Sequence, residues 1–515
     1  MLTESPYLTA NLQRSAWHFL TGRLASAVLT FFILLWVVRL LPLAEYGLYI
    51  TLVAGMELMI GISGFGLPWI SARYLPEYRL HAPGSCTQKL VSTLLIGMIV
   101  SLTVFTGFLG IGLSHYLPYW PNLDAYREAV MLYLFVLLLE GLGRLVIVSL
   151  LEPLMQQRIV RASMMFRQLT FIVLLFLFTS GDSAKLINVI YVELISSILG
   201  TAIGLGGLWR HLSSFSAYPG KPDWCNPKVQ EMFRVGYQMY FSQLITMLYG
   251  AQIFQMIILH ALGLEAAAAF GFLRTLQDKI ARFLPASLLI SLIRPKLVSG
   301  YINGGSIDEL RKNTNLAGKF SIFVLMPMVA VVASTGDLLV PLLAGGKFIG
   351  SGGLLLGFIL VLIPFSQRQL VESIAVITGH ASLCTHAAAI GIITLPLMWL
   401  LLQAELELWA GIIAMGLGHL LFHIIVNVGI FGANNYRPDW IGFLKLMISS
   451  IVACGVSMLP SFLDIGTGAP PWLLIALQST LVLIVYLTVA WWVKPFSSSE
   501  RSRINILLKH QIFIW

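Results

Sequence analysis

Charge is scarce in this 515-residue chain: 11% of its residues are Asp, Glu, Lys or Arg, against 57% hydrophobic ones. A water-soluble fold could not hide that much apolar surface with so few charges, which excludes a soluble enzyme or binding domain. Cysteine is sparse too. Cys86, Cys225, Cys384 and Cys454 are scattered without pairing or metal spacing, so neither disulfides nor a zinc site are expected. No GxxxxGK[ST] loop occurs, so nothing suggests that the chain drives itself by ATP hydrolysis. Long polar segments are also missing. The longest, near 69–88, 210–234 and 294–316, are too short for a folded catalytic domain. The alternation in short segments that marks a transmembrane β-barrel is absent. The first apolar run begins too late and extends too far for a secretory signal, and no small-residue cleavage site follows it.

What the chain has in abundance is apolar runs of membrane-spanning length, and its mean hydropathy is +0.85. A spanning helix needs about 20 apolar residues. Such runs lie near 16–40, 46–68, 89–113, 128–151, 160–179, 187–209 and 235–260. Seven more follow near 265–293, 317–343, 351–377, 385–403, 408–431, 441–460 and 471–493. The expected fold is therefore an all-α polytopic membrane protein with about 14 transmembrane helices. The joint 210–234 divides the chain into an N-terminal six-helix bundle (1–209) and a C-terminal one (235–431). Two further spans and a tail occupy 432–515. Gly204, Gly206 and Gly207 are expected to loosen the end of the sixth span.

Lysine and arginine alternate across these joints. One side carries Arg14, Arg73, Arg79, Lys89, Arg158, Arg161, Arg210, Lys221, Lys228 and Arg234. The same side continues with Arg294, Lys296, Arg311, Lys312, Lys319, Arg437, Lys494, Arg501, Arg503 and Lys509. The opposite joints offer only Arg127, Lys185 and Lys347. Basic residues mark the cytoplasmic face, so with an even number of spans both termini are expected there. The net charge of +9 is read as this topology signal, with anionic lipid headgroups as a secondary partner. Nucleic acid is not expected as a partner, because no compact basic domain is present.

Ionisable groups inside the spans carry the functional signal. Each costs roughly 2.5–3.5 kcal/mol to insert, so it must face a partner or a water-filled cavity. Glu140 with Arg144, Arg274 with Asp278 and Arg282, and Arg368 with Glu372 stand at i,i+4 spacing, which allows neutralisation on one helix face. Arg23, Glu57, Arg167 and Glu193 have no partner on their own helix. Arg23, Arg144, Arg167, Arg274, Arg282 and Arg368 are candidate substrate-binding residues, because guanidinium forks suit a phosphate or pyrophosphate. Glu57, Glu140, Glu193, Asp278 and Glu372 are candidates for ion coupling, Glu57 first among them as a central carboxylate. Tyr237, Tyr240, Gln243 and Gln252 line the same spans and read either as packing or as sugar contacts. His419 and His423 form an i,i+4 pair better suited to helix–helix hydrogen bonding than to a metal, and no metal or cofactor is expected.

Local motifs add a family. Leu41-Pro-Leu-Ala-Glu-Tyr-Gly-Leu-Tyr, Gly64-Phe-Gly-Leu-Pro and Arg73-Tyr-Leu-Pro-Glu-Tyr-Arg79 resemble the start of bacterial polysaccharide-transporter flippases. These are the O-antigen type within the multidrug/oligosaccharidyl-lipid/polysaccharide exporter (MOP) superfamily. The resemblance continues through Phe233-Arg-Val-Gly, Leu262-Gly-Leu-Glu-Ala, Ala268-Ala-Phe-Gly-Phe-Leu-Arg274 and Gly336-Asp-Leu-Leu-Val-Pro-Leu-Leu-Ala-Gly-Gly-Lys-Phe348. It implies a V-shaped pair of six-helix bundles with two appended helices, open alternately to each side. It also implies a non-enzymatic function, moving undecaprenyl-pyrophosphate-linked oligosaccharide from the cytoplasmic to the outer leaflet. Polysaccharide polymerase and glycosyltransferases are the implied protein partners. Asp337 and Lys347 are then structural. One departure stands out: Phe254 occupies roughly the place of an aspartate found in many members. Two other readings of the chain are a cation-coupled drug or metabolite antiporter on this fold, and a non-transporting partner of a polysaccharide assembly complex.

Overall fold

The computed structural model describes residues 9–119, 121–178, 185–215, 219–220, 224–286, 307–378, 380–432, 439–462, 469–508 and 514–515. Among them the regular structure is entirely helical. In chain order the helices are α1 (Thr9–Leu40), α2 (Leu43–Ser63), α3 (Leu67–His81), α4 (Gly84–Tyr116) and α5 (Arg127–Leu145). A π-helical turn, Val146–Leu151, continues α5. Then come α6 (Gln157–Phe178), α7 (Leu186–Phe215), α8 (Val229–Leu248), α9 (Ala251–Leu262) and α10 (Leu264–Ala281). The remainder are α11 (Ile307–Ala344), α12 (Gly352–Ile377), α13 (Ala381–Gly391), α14 (Thr394–Gln403) and α15 (Leu408–Phe431), then α16 (Trp440–Phe462), α17 (Pro471–Val493) and α18 (Ser498–Leu508). One 3-10 turn (Leu117–Tyr119) and a single-turn helix (Pro121–Asp124) fill the joint before α5.

Twelve helical stretches among the described residues are long and apolar enough to cross a membrane. The first expected span appears as the shorter apolar stretch Ala25–Leu40 within α1. The eighth begins as α10, whose Arg274, Asp278 and Lys279 make it more polar than the rest. The chain is thus an all-α polytopic membrane protein. Two expected spans are broken helices. The seventh divides at Gly250 into α8 and α9, and the eleventh divides between Gly391 and Thr394 into α13 and α14.

By its contacts the chain resolves into two compact units, Met1–Met247 and Leu248–Trp515. The division falls inside the expected seventh span because α8 packs on the first unit. There Tyr240 donates to the Ile62 carbonyl at 2.6 Å, and Trp69 Nε1 donates to Gln243 Oε1 at 2.7 Å. Tyr240 and Gln243 therefore serve as packing and hydrogen-bonding groups. Gly66, at φ +77°, links α2 to α3 with its backbone against Gly236; an added Cβ would lie 2.6 Å from the Gly236 oxygen, so only glycine fits.

The glycines of α7 correct an expectation. Gly204, Gly206 and Gly207 do not loosen the sixth span, because α7 runs through them unbroken to Phe215. A Cβ at Gly207 would meet Ile159 of α6 at 2.4 Å, so its role is close helix approach. In the second unit, a Cβ on Gly352 would lie 2.4 Å from the Asp337 nitrogen and 2.6 Å from the Gly336 carbon. That close contact joins α11 to α12, and Asp337 Oδ1 accepts the Gly352 N–H at 3.0 Å. Phe254, at the position of the missing acid, is fully buried core.

Candidate functional site: two groups of buried charge

Five of the ionisable residues predicted within the spans meet inside the first unit. Glu140 on α5 is the hub, with only 4% of its surface exposed. Its Oε1 accepts Arg144 Nε at 2.9 Å, one helical turn along α5. Its Oε2 accepts Ser197 of α7 at 3.1 Å and lies 3.3 Å from Arg167 Nη1 of α6. Arg144 Nη1 also stands 3.9 Å from Glu57 Oε1 of α2. Glu193 of α7 is buried and hydrogen-bonds the Tyr49 hydroxyl of α2, while its Oε2 has no partner among the described residues.

Small residues make this convergence possible. A Cβ on Gly143 of α5 would meet Thr201 Oγ1 of α7 at 2.4 Å. One on Gly200 of α7 would meet the Arg167 Cβ of α6 at 2.8 Å. Three backbones thus approach closely enough for Arg167 to reach Glu140. Just beyond Arg144 the α-helix widens into its π turn, and the Ser149 carbonyl there accepts the Ser71 hydroxyl of α3. Such turns often mark functional segments. Three carboxylates face two guanidiniums, so the group carries one surplus negative charge when all are ionised.

The second unit treats its arginines differently. Arg274 is buried on α10, with Asp278 Oδ2 at 3.8 Å, and Asp278 itself is exposed. Arg282 lies exposed just past the end of α10. Arg368 on α12 is 8% exposed and does not pair with Glu372, which is exposed one turn along; among the described residues no ion pair forms between them. Instead Arg368 Nη1 donates to His419 Nδ1 of α15 at 3.2 Å. Its guanidinium lies 4.1 Å from the Phe422 ring centroid and 5.9 Å from that of Tyr249. Aromatic faces and a neutral acceptor compete successfully with a solvated carboxylate at this depth. Arg23 falls on α1 where side chains lie outside the described residues. No group of three or more His, Cys, Asp or Glu positioned to hold a metal occurs among the described residues.

Sequence reasoning found the charged members and missed their neutral partners. Tyr49, Ser197, Tyr249 and Phe422 carry no individual signal, since a tyrosine or phenylalanine in a span reads as packing. Lys319, which its sequence position marks as a topology signal, has a further role in the fold. It is 1% exposed on α11, bound by Asp439 at the start of α16 and by Glu500 Oε2 of α18 at 2.9 Å.

A polytopic helical bundle that holds ionisable groups inside its spans is a frame on which many membrane transport proteins are built. Solved structures agree at the level of the fold. The "Lipid II flippase MurJ, inward closed conformation" superposes with a TM-score of 0.62 at 13% identity, covering 92% of this chain and 97% of that one. An inward-facing "multidrug resistance MATE family transporter of the MOP superfamily" gives 0.52 at 14% identity, covering 79% and 93%. A MATE transporter in complex with MaD5 gives 0.50 at 12%, covering 79% and 92%. These relatives are a flippase and transporters, not enzymes. No curated protein sequence matches the chain. The family profile described as "Polysaccharide biosynthesis protein" matches residues 12–287, more than half of the chain, and the chain belongs to that family. Its described helices make it a multi-pass membrane protein with the fold of these transporters, and family and fold support an inner-membrane location.

Proposed function

We propose that the protein is an alternating-access flippase that carries an undecaprenyl-pyrophosphate-linked oligosaccharide from the cytoplasmic to the outer leaflet. The observation that carries this reading is the buried charge network around Glu140, set within a chain of the polysaccharide biosynthesis family. Five charges at membrane depth are costly to insert, and a scaffold without transport has no use for them. A transporter does, because a polar interior lets a hydrated glycan pass a hydrocarbon barrier. In this reading residues 1–209 and 235–431 are the two bundles, 210–234 the linker and 432–515 an appended pair of spans. Both termini lie in the cytoplasm, and the polymerase and glycosyltransferases of the same assembly line work beside it.

The network also favours coupling to a cation. Its surplus carboxylate gives a proton or metal cation a place to neutralise the group, and Glu193, with one oxygen unpartnered, is the residue best placed to take it. Glu57, expected first for this role, is in ion-pair contact with Arg144. The same surplus supports the second reading, a cation-coupled drug or metabolite antiporter. Translocation in liposomes separates the two. Purified protein is reconstituted with a fluorescent undecaprenyl-pyrophosphate oligosaccharide, and outer-leaflet appearance is read by an impermeant quencher. Flipping that is lost in Arg144→Ala with normal expression supports the flippase. Folded protein that moves no lipid-linked glycan but exchanges cations for organic cations overturns it.

A further inference from the structure

The end of α5 is broken by its own sequence. In an α-helix the carbonyl of Ser149 would accept the N–H four places on. That residue is Pro153, which has no N–H and whose ring crowds the same carbonyl. The chain widens in response: Glu152 N–H reaches back five residues to the Ile147 carbonyl at 2.9 Å, and Leu154 N–H goes to Leu150 at 3.2 Å. Neither meets Ser149, which is buried. Its carbonyl instead takes a donor from outside the helix, the fully buried Ser71 hydroxyl of α3. We propose that Ser71 is a positioning residue. By supplying the donor that Pro153 withholds, it fixes the π turn and keeps the charges of α5 within reach of Glu57 and Arg167. Its bearing on transport rests on the flippase reading.

The π turn opens at Val146, directly after the α5 segment that carries Glu140 and Arg144. A slip of one residue in such a turn rotates one side of it against the other by about 100° and moves it by about 1.5 Å. Arg144 Nη1 stands 3.9 Å from Glu57 on α2, and Glu140 Oε2 stands 3.3 Å from Arg167 on α6. Both contacts cross between helices, so a slip of that size would part them. Ser71 is well placed to prevent it, because α3 packs on the turn and grips it twice. Arg79, about two turns along α3, donates from Nη1 to the Leu154 carbonyl at 2.5 Å, just past the proline. Met155, at φ +55°, then turns the chain into α6. On its other side α3 holds α8, where Trp69 Nε1 meets Gln243. The helix α3 thus joins α8 to the buried charges. The grip is also light enough to release. One hydroxyl–carbonyl bond biases an equilibrium by about 2- to 10-fold, and the Ser149 hydroxyl in the same turn is buried with no partner among the described residues.

The test is a mutant cycle on the full-length protein in nanodiscs. Ser71→Ala leaves the Ser149 carbonyl without a donor, whereas Pro153→Ala gives it the helical N–H it lacks. Hydrogen–deuterium exchange over residues 145–156 should rise about 5-fold or more in Ser71→Ala, the effect of a buried carbonyl left unpaired. Exchange should return toward wild type in the double variant Ser71→Ala/Pro153→Ala, and Ser71→Thr, which keeps the hydroxyl, should resemble wild type. Phenylglyoxal modification, read by mass spectrometry, should quicken at Arg144 and Arg167 in Ser71→Ala, while Arg274 in the second unit is unchanged. Translocation of the fluorescent lipid-linked oligosaccharide in liposomes should slow by a similar factor and recover in the double variant. If Ser71→Ala does not fold, a folded double variant shows the same dependence on Pro153. Unchanged exchange in Ser71→Ala, or a rise that Pro153→Ala does not reverse, overturns the role of Ser71. Raised exchange with translocation at the wild-type rate overturns its bearing on transport. A full exchange cycle in a protein that moves no lipid-linked glycan removes the flippase reading and leaves Ser71 as the residue that positions the turn.

Discussion

Lys319 offers the sharpest test of how charge is held in this protein. Its ammonium is almost fully enclosed, whereas its partners are not: the side chains of Asp439 and Glu500 are 43% and 22% exposed. Removing the lysine and removing the acids are therefore unequal perturbations. In Lys319→Met the hydrophobic stem is kept and both carboxylates turn to solvent, so stability should change by no more than about 1 kcal/mol. Asp439→Asn or Glu500→Gln each leaves one carboxylate on the ammonium and should cost about 1–2 kcal/mol. The double variant strands a buried cation and should cost about 3–5 kcal/mol. Glu500 also closes a Ser-x-x-Glu capping box with Ser497 at the start of α18, accepting the Ser497 N–H at 2.8 Å, so Glu500→Gln tests the lysine and not the cap. The assay is heat-induced loss of the monodisperse peak for the full chain in detergent, read as a rank order of apparent Tm. Lys319→Met as damaging as the double variant would refute the reasoning, because the lysine would then be held for something other than its charge. The pH dependence has a fixed sign. Burial raises the Asp439 carboxyl, but the Lys319 hydrogen bond and charge and the Gly442 N–H outweigh it and hold it below the usual range. The contact is then fully present above about pH 4 and is lost as pH falls through the lower folded value. Wild type should lose more apparent Tm on acidification to that range than Asp439→Asn does.

Other expectations concern the two units separately. Glu140→Gln leaves Arg144 and Arg167 facing a neutral amide and should lower stability by about 2 kcal/mol or more, partial exposure of both arginines moderating the effect. The double variant Glu140→Leu/Arg144→Leu should be less damaging than Glu140→Gln; equal or greater damage in the same thermal assay would contradict the hub. Gly352→Ala forces a methyl onto the α11 backbone and should cost about 1–3 kcal/mol, again read as apparent Tm. Tyr49→Phe removes the one hydrogen bond assigned to Glu193. In pH-jump liposomes it should shift the pH dependence of translocation while leaving the glycan preference unchanged; an unaltered pH profile would separate Glu193 from coupling.

Fold class was legible because it rests on run length and charge frequency, which are properties of the chain alone; against about 14 expected spans, the described residues hold twelve of crossing length and the shorter Ala25–Leu40. Partnerships were not. Glu57 and Arg144 lie on helices far apart in sequence, and nothing in either segment names the other. The i,i+4 rule succeeded for Glu140 and Arg144, where both side chains face neighbouring helices. It failed for Arg368 and Glu372, because spacing fixes where a side chain starts and not which neighbour it prefers. Phe422 and His419 were available to Arg368 across the α12–α15 interface, while Glu372 is exposed. Lys319 is the opposite case. A lysine at the end of an apolar run marks topology, and this one is also enclosed by helices joined to it only in the fold.

The sharing of Glu140 between two arginines has a consequence for how such a chain changes over generations. A single substitution at the hub orphans two cations, whereas simultaneous loss of an acid and a base leaves the net charge of the group unchanged. The residues at 57, 140, 144, 167 and 193 should accordingly be inherited as a linked set, drifting together or not at all, even though they are scattered over four helices.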